Sequence, residues 1–446
     1  MIEFMRKRNL FILIVSAIVS CNIFTSCNNS FLDEAPKNEL SDVSFWKTED
    51  DVYKYTVGLY RYTLAPENHI IMTDCYTDNA VPVHVTAAQG ELSSGTATST
   101  NAYFQQVWKQ AFQGIRRCNV FFENIDNVAI DQDTKDLYKG EVYFLRGFFY
   151  ATLLRLYGGV PILETTLSLS DPIPARNSVE EVYEFIIDDL EKAESLLPEK
   201  QKEVGRATKG AAIAEQAIIS NFLNKYEEAA TYAKEVIGLD IYDLYPNYGN
   251  LFLPDYENNE EVIFDRQYME NAKDKSLGSD IDQYFAPQMM GGWEAISPTK
   301  DLIDTYECID GKPISESDLY NEDTPFENRD PRLKYSILYD GSVIAGKVFS
   351  SEGRVGDGNS TRTGYSIRKY INPANDGMNY PGWTNFIYIR YAEILLVYAE
   401  ALNEISGPSD EVYWAVNKVR SRVNMPALPE NLSKDVMREA IRKEKR

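Results

Sequence analysis

The sequence predicts a mainly α-helical protein in which tetratricopeptide-like helical hairpins carry long irregular loops. Two observations predict the hairpins: apolar residues recur every three or four positions over several segments, and small residues line paired segments. A third observation predicts the loops, since residues 70–102 and 340–385 are rich in Gly, Thr, Ser, Asn and Asp and show no helical period. Because long loops in a compact domain are usually functional or disordered, this scaffold suits ligand capture.

The clearest helical pattern lies between Ser178 and Leu197, where apolar residues mark one face. Ser178 with Glu181 three residues on is a capping box, and Pro198 predicts the end of the helix. Residues 141–156 are so rich in Phe, Tyr and Leu that little of this segment can face water. We therefore expect a central helix there.

Two pairs of segments predict helical hairpins. Residues 209–224 and 226–238 form the first pair, and residues 391–404 and 411–423 form the second. Alanines at helical spacing would let the helices of the first pair approach closely. They are Ala211, Ala214, Ala217, Ala229, Ala230 and Ala233.

Composition and charge restrict the classes of partner. The chain has 446 residues, 44% of them hydrophobic, which is ample for a large core. Its formal net charge of −23 argues against nucleic acid and other anionic partners, because the long-range field repels them. Neutral ligands, or a partner with a basic surface, are compatible with this charge. Cys75, Cys118 and Cys308 are too widely spaced for a disulfide framework, so we expect buried free thiols.

The N-terminus has the pattern of a secretory signal peptide, which we assign to residues 1–26. Basic residues at 6–8 precede an apolar run over residues 10–24, which is too short and interrupted for a membrane span of about 20 apolar residues. Cys27 follows small residues after this run, as in a bacterial lipoprotein box, where the thiol is acylated with fatty acids such as palmitate. Cys21 fits a second such box, but would leave bulky apolar residues on the mature terminus. We therefore predict lipidation at Cys27.

Groups that could support catalysis are scarce. His69 and His84 are the only histidines, and with Asp74 and Asp78 between them they could coordinate a metal, but no ligand spacing fixes a geometry. We interpret this region as polar loop, with the two aspartates as candidate ligand-binding residues. We expect no metal, no cofactor and no catalytic residue. Residues 341–347 resemble the start of a phosphate-binding loop, but a valine follows where Ser or Thr is needed, so we attribute the match to chance.

Aromatic residues in the irregular stretches are the strongest candidates for ligand binding. Trp293 and Trp383 each follow flexible glycine, and an aromatic face presented from a loop can stack on the C–H face of a sugar ring. The alternative is that each ring merely anchors its loop. Tyr284 and Phe285 are further candidates of the same group. The tryptophans expected in the core, from their helical apolar context, are Trp46, Trp108 and Trp414.

Ordered runs along nearly the whole chain together resemble one protein family. They are Phe31-Leu32-Asp33, Pro36, Phe45-Trp46, Arg116-Arg117-Cys118-Asn119, residues 141–161, Pro298-Thr299, Asn328-Arg329-Asp330-Pro331-Arg332, Arg390-Tyr391-Ala392-Glu393, Tyr398-Ala399-Glu400-Ala401 and Arg442-Lys443-Glu444-Lys445-Arg446. The sequence thereby resembles the SusD/RagB (starch-utilisation D) family of Bacteroidetes surface lipoproteins. Most matched positions are expected to be structural: Asp330 and Arg332 in buried or capping contacts, Glu393 and Glu400 in ordering neighbouring helices.

The resemblance implies a SusD-like fold, with an N-terminal region over residues 27–240 and a C-terminal region over residues 241–446. It also implies an outer-membrane lipoprotein, anchored at Cys27 and facing outward. Such a protein captures an oligosaccharide or other nutrient and acts as a hinged lid on a SusC-like TonB-dependent transporter, without covalent chemistry. The family's final helix normally continues beyond Arg446, so we expect the last helix of this chain to be truncated.

Two other classes of function are compatible with the sequence. A surface glycoside hydrolase would need two carboxylates that converge in a cleft. A structural or adhesion lipoprotein would use its helical repeats to bind protein and would have no glycan ligand.

Overall fold

The computed structural model describes residues 45–446 apart from short internal gaps. The gaps are residues 66–68, 85, 169, 271–273, 275–276, 352–360 and 377–380. Cys21 and Cys27, the lipidation candidates, lie outside the described residues. Over the part of the chain that is described, the protein is mainly α-helical, as predicted, and none of its helices combines the length and apolar character of a membrane span.

Helices make up most of the secondary structure of the described chain, and short strands lie in the segments between them. The helices are α1 (Glu49–Leu59), α2 (Ala87–Ser93), α3 (Ala102–Asn124), α4 (Gln132–Tyr157), α5 (Val179–Leu196), α6 (Lys209–Phe222), α7 (Tyr226–Gly238), α8 (Ile281–Phe285), α9 (Lys300–Thr305), α10 (Pro331–Ser336), α11 (Tyr391–Ser406), α12 (Asp410–Ser421) and α13 (Lys434–Lys445). The strands are β1 (Ala80–Pro82), β2 (Val262–Arg266), β3 (Ile296–Pro298), β4 (Ile337–Leu338), β5 (Val343–Ile344), β6 (Lys347–Val348), β7 (Ser366–Ile367) and β8 (Phe386–Arg390).

Both predicted hairpins form. α6 packs on α7, α11 packs on α12, and their ends fall within two residues of the predicted ones. α11 also contacts α7 and α13, so the two hairpins are joined into one helical layer. The six predicted interface alanines of α6 and α7 are all buried, which allows the close approach of these helices.

The central helix is confirmed but begins earlier than predicted. α4 starts at Gln132, where the side chain of Asp131 accepts a hydrogen bond from the Thr134 N–H at 2.9 Å. Its first turns are polar, so they carry little of the apolar pattern that marks residues 141–156. The capping box of α5 also forms, since Ser178 and Glu181 each accept from the other's backbone N–H.

Several of the strands join parts of the chain that lie far apart in sequence. β1 pairs antiparallel with β3, with Ala80 opposite Pro298, and β2 pairs antiparallel with β8. The two stretches predicted to be irregular, residues 70–102 and 340–385, contain α2 and several strands of two or three residues. Periodicity missed these elements because they are too short to show a repeat.

Among the described residues, two large hydrophobic cores support these layers. One lies between the helices and includes Phe144 and Tyr150 of α4, and the other lies beneath the loops and includes Phe285 and Met290. A small third cluster contains Ile303, Leu333 and Ile337. Cys75, Cys118 and Cys308 are buried free thiols, as predicted.

The tryptophan predictions hold for two of the three residues expected in the core. Trp46 and Trp108 pack, partly buried, against the helical core. The prediction for Trp414 is wrong, because 44% of this side chain is exposed. α12 turns its buried face, which carries Val412 and Val416, toward α11, and Trp414 lies on the opposite side.

Three of the four family residues expected to be structural, Asp330, Arg332 and Glu400, make such contacts. Asp330 caps α10 by accepting from the Arg332 N–H at 2.9 Å, and its carboxylate also pairs with the Arg332 guanidinium at 2.6 Å. Glu400 accepts from Asn221 at 2.9 Å and pairs with Lys445, so it links α11 to α6 and α13. Both groups therefore stabilise the fold.

Candidate functional site at the Trp293 loop

Trp293 lies in a tight loop between α8 and β3. The Trp293 N–H donates to the Gln283 carbonyl at 2.7 Å, and the Ala295 N–H donates to the Tyr284 carbonyl at 2.8 Å. The backbone of this loop requires glycine at position 292, since a Cβ there would lie 2.2 Å from the Ala286 carbonyl oxygen. The backbone of this loop, which we call the Trp293 loop (residues 286–295), is therefore held independently of the indole ring.

The Trp293 ring is presented to solvent. Its side chain is 45% exposed, and its ring centroid lies 4.9 Å from that of Tyr284. A depression of about 500 Å³ lies beside it, lined by His84, Gln288, Gly291, Gly292 and Trp293. An exposed aromatic face beside hydrogen-bonding side chains is the arrangement that binding sites for neutral polar molecules use.

His84 reaches this site from a distant part of the sequence. The pairing of β1 with β3 brings it there, and the Val83 N–H donates to the Ala295 carbonyl at 2.8 Å. The His84 Nε2 lies 3.0 Å from the Trp293 carbonyl oxygen. From the sequence, His84 was a possible metal ligand and not a predicted binding residue, because no local pattern indicates a pairing between strands so far apart.

A buried carboxylate lies beneath the Trp293 loop. Glu294 is fully buried and adopts φ +51°, a left-handed conformation that non-glycine residues seldom take. Its Oε2 accepts from the Gln288 N–H at 3.4 Å, so the side chain turns back under the loop that carries Trp293. Glu294 is thereby held in an energetically unfavourable backbone conformation, which the surrounding contacts maintain.

Trp383 lies in a neighbouring loop and is partly buried. That loop is joined to the start of α8 by a bridge, in which the Ser279 N–H donates to the Gly382 carbonyl at 2.7 Å and the Gly382 N–H donates back at 2.8 Å. Among the described residues, the ring contacts pair Trp293 with Tyr284 and not with Trp383. The loops of the two predicted tryptophans are therefore both connected to α8, but the two rings do not form one aromatic surface.

Asp282 of α8 binds the neighbouring loop over residues 372–375. Its Oδ1 accepts from the Asn372 N–H at 2.9 Å, and its Oδ2 accepts from Asn375 Nδ2 at 2.8 Å. Burial raises the pKa of this carboxyl to about 6. The helix that carries Tyr284 is thus tied to residues 372–375.

Two further carboxyl groups, those of Glu257 and Asp265, lie near the Trp383 loop. Glu257 accepts from the Asn385 N–H at 2.6 Å, and Asn385 in turn accepts from the Tyr268 N–H at 2.7 Å. Burial, together with the nearby Asp265 carboxylate, raises the pKa of Glu257 to about 7. Burial also raises the pKa of Asp265 to about 6. Both acids therefore bind protons more readily in the folded protein than in the unfolded chain.

We expect the Asp265→Asn substitution to stabilise the protein above pH 6. Because the folded-state pKa is raised, the contribution of Asp265 is most favourable below pH 4 and is lost as pH rises through about 6. The amide oxygen of Asn can still accept from Gln267 Nε2, and the gain at pH 8 should be about 1 to 2 kcal/mol. Urea denaturation at pH 5 and pH 8 measures it. Asp318→Asn, at an exposed position, is the control, and an equal gain at both pH values would contradict the assignment.

The remaining predicted site residues lie elsewhere. Phe285 is 1% exposed and belongs to the core beneath the loops. Asp74 lines a second cavity, of about 460 Å³, and Asp78 pairs with Arg446 at 3.2 Å. The structure therefore brings Trp293 and Tyr284 together and places Phe285, Asp74 and Asp78 away from the exposed indole face.

Several of the charged groups that line the second cavity pair with one another. Arg332 pairs with Asp330 and Glu444, and Arg420 pairs with Glu307 at 2.8 Å and with Glu444 at 3.1 Å. Buried pairs of this kind require both partners, since an unpaired buried charge is strongly destabilising. We therefore assign these side chains to the framework and place the candidate site at the Trp293 loop.

The histidines do not share a site. The His69 ring lies 5.6 Å from the Tyr103 ring, where burial lowers its pKa, while His84 contacts the Trp293 loop. Across the described ranges, no three His, Cys, Asp or Glu side chains cluster as metal ligands would.

Comparisons with known proteins match both halves of the chain. A profile of the SusD family matches residues 260–446, and a profile described as starch-binding associating with outer membrane matches residues 30–220. Together the two matches cover the Trp293 loop and most of the helices, and they leave residues 221–259, which include α7, between them.

Individual relatives match over most of their length. A solved SusD-like protein from Bacteroides fragilis is 31% identical, with a TM-score of 0.82 over 92% of this chain and 86% of its own. A SusD-like carbohydrate binding protein from the same organism is 28% identical, with a TM-score of 0.83 over 90% of this chain and 84% of its own. A SusD-like protein from Formosa agariphila is 28% identical over 94% of this chain and 83% of its own. These matches show that the chain belongs to the SusD/RagB family.

Proposed function

We propose that this protein is a surface glycan-binding protein that captures a neutral oligosaccharide at the Trp293 loop. The observation that carries the proposal is the exposed indole of Trp293 beside a depression lined by His84 and Gln288. A relative with 28% identity is described as a SusD-like carbohydrate binding protein, which supports a glycan as the ligand class.

The chemistry of the lining favours an uncharged ligand. The indole face can stack on the C–H face of a sugar, while the His84 imidazole and the Gln288 amide can exchange hydrogen bonds with hydroxyl groups. Among the described residues that line the depression there is no carboxylate, lysine or arginine to pair with a charged sugar. The net charge of −23 further disfavours anionic glycans such as uronic acid polymers.

The same lining supports binding without covalent chemistry. Glycoside hydrolysis needs two carboxyl groups on opposite sides of the scissile bond. Glu294 is the acidic residue adjacent to Trp293, and it is fully buried beneath the loop. A binding role therefore accounts for the site better than hydrolysis.

We further propose that the protein is held at the outer membrane by lipid on Cys27 and acts as a hinged lid on a SusC-like TonB-dependent transporter. The lipoprotein pattern at Cys27 and the profile described as associating with outer membrane support this location. The family membership supports the transporter as partner. A lipid tether would keep the protein at the membrane while leaving it free to move.

We expect the full chain to co-purify with a TonB-dependent barrel from the outer membrane. Cys27→Ala should move the protein to the soluble fraction while its glycan affinity stays unchanged, since the substitution removes the lipid and leaves every residue of the Trp293 loop in place. Cell fractionation and affinity capture followed by mass spectrometry measure both results. Cys21→Ala is the matched control. Release by Cys21→Ala alone would move the lipid site to Cys21, and capture without a barrel would contradict the lid.

A further inference from the structure

A small hairpin packs beside the Trp293 loop. β5 and β6 pair antiparallel with Ile344 opposite Lys347, and the turn between them is formed by Ala345 and Gly346 at φ +49° and +72°. Two consecutive residues with positive φ are typical of a type I′ turn, which closes tight two-residue hairpins. The segment that resembled a phosphate-binding loop is therefore a hairpin, and its lysine is available for another role.

The Lys347 ammonium connects the hairpin to two other loops. Its Nζ donates to the Met289 carbonyl at 2.9 Å and to Asp376 Oδ1 at 2.7 Å. Met289 lies in the Trp293 loop, four residues before the indole, in the short turn Gln288–Met290. Asp376 lies directly after residues 372–375, which Asp282 holds.

These contacts form a closed circuit around the candidate site. Lys347 holds the Trp293 loop to Asp376, the chain leads from Asp376 back to Asn375, and Asn375 donates to Asp282 of α8. α8 also carries Tyr284, whose ring contacts Trp293. The Lys347 side chain therefore completes the connection between the Trp293 loop and α8.

We propose that Lys347 is a positioning residue that holds the Trp293 loop in its binding conformation. The proposal rests on the proposed function, because it assigns Lys347 to the same site. Lys347 and Asp376 are 43% and 35% exposed, and exposed ion pairs contribute little to global stability. Fixing a loop before the ligand arrives nevertheless favours binding, because less conformational freedom is lost in the complex.

The test compares Lys347→Met with Lys347→Arg in the full chain. The Met variant keeps the length and apolar stem but cannot donate, while Arg can donate to both the carbonyl and the carboxylate. Lys300→Met is the matched control, since Lys300 pairs with Asp304 on an exposed helix. We expect Lys347→Met to weaken binding of a neutral glucan oligosaccharide about three- to tenfold, and Lys347→Arg to restore it.

Hydrogen exchange gives a readout that needs no ligand. The Met290 and Gly291 amides donate within the Trp293 loop, both at 2.8 Å, and should exchange about tenfold faster in Lys347→Met while the melting temperature stays unchanged. Unchanged exchange in this variant would overturn the proposal. If exchange rises and Arg restores it while no variant binds any glycan, the positioning role stands and the proposed function fails. Equal effects from Lys300→Met would also overturn it.

Discussion

Replacing Trp293 by alanine is expected to weaken the binding of neutral oligosaccharides by about thirtyfold or more. Aromatic residues at the centre of binding sites commonly contribute about 2 kcal/mol or more, which corresponds to that change in affinity. The Trp293 loop should persist in the variant, because its backbone is held by the hydrogen bonds to Gln283 and Tyr284. The loss would therefore report the indole face and not a collapsed loop.

Isothermal titration with neutral glucan oligosaccharides and with an oligogalacturonate of equal length measures this effect. Trp414→Ala is a well-matched control, because Trp414 is 44% exposed and Trp293 is 45% exposed, while Trp414 lies on α12. We expect Trp293→Phe to retain part of the affinity, since an aromatic face remains. Equal binding by wild type and Trp293→Ala would remove Trp293 from the site. Preference for the charged glycan would contradict the neutral ligand.

The helical layer could be predicted from sequence because its determinants are local. The capping box at Ser178 and the alanines of α6 and α7 each act within a few residues or between adjacent helices. Trp414 shows the limit of this reasoning. Its position on an apolar-patterned helix does not say which side of that helix the neighbouring α11 covers.

The candidate site could be predicted only in part. Trp293 and Tyr284 were found because glycine and an aromatic ring in an irregular stretch are visible locally. His84 and Lys347 were missed as site residues, because they reach the loop through the β1–β3 pairing and the β5–β6 hairpin. Strands of two or three residues leave no period in the sequence, and the long-range pairing of β1 with β3 depends on the folded arrangement of the loops.

The helical layer and the loop region meet at Glu261, whose carboxylate is fully buried. Its Oε1 accepts from Arg390 at 2.8 Å, and its Oε2 accepts from Arg422 and from the Tyr245 N–H at 2.9 Å. The carbonyl of the same residue accepts from the Tyr391 N–H at the start of α11 at 2.9 Å. One carboxylate therefore pairs with two guanidinium groups at the junction of β2, α11 and α12.

Glu261→Ala is expected to destabilise the fold by about 3 to 5 kcal/mol, the loss that follows when one partner of a buried ion pair is removed. Arg422 would be left buried beside Arg390, and burial with a like charge nearby already lowers the pKa of its guanidinium. Thermal and urea denaturation measure the loss. Glu261→Gln keeps the shape and should still destabilise the fold by more than about 1 kcal/mol, because the two arginines lose their counter-charge.

Asp188→Asn removes an exposed pair with Lys192 and serves as the control, for which we expect a change within about 0.5 kcal/mol. If Glu261→Ala does not fold, Glu261→Gln alone decides the question. A Gln variant as stable as wild type would mean that the two arginines find solvent or other partners when the carboxylate is lost. The junction would then depend on packing between β2 and α11 and not on the charge of Glu261.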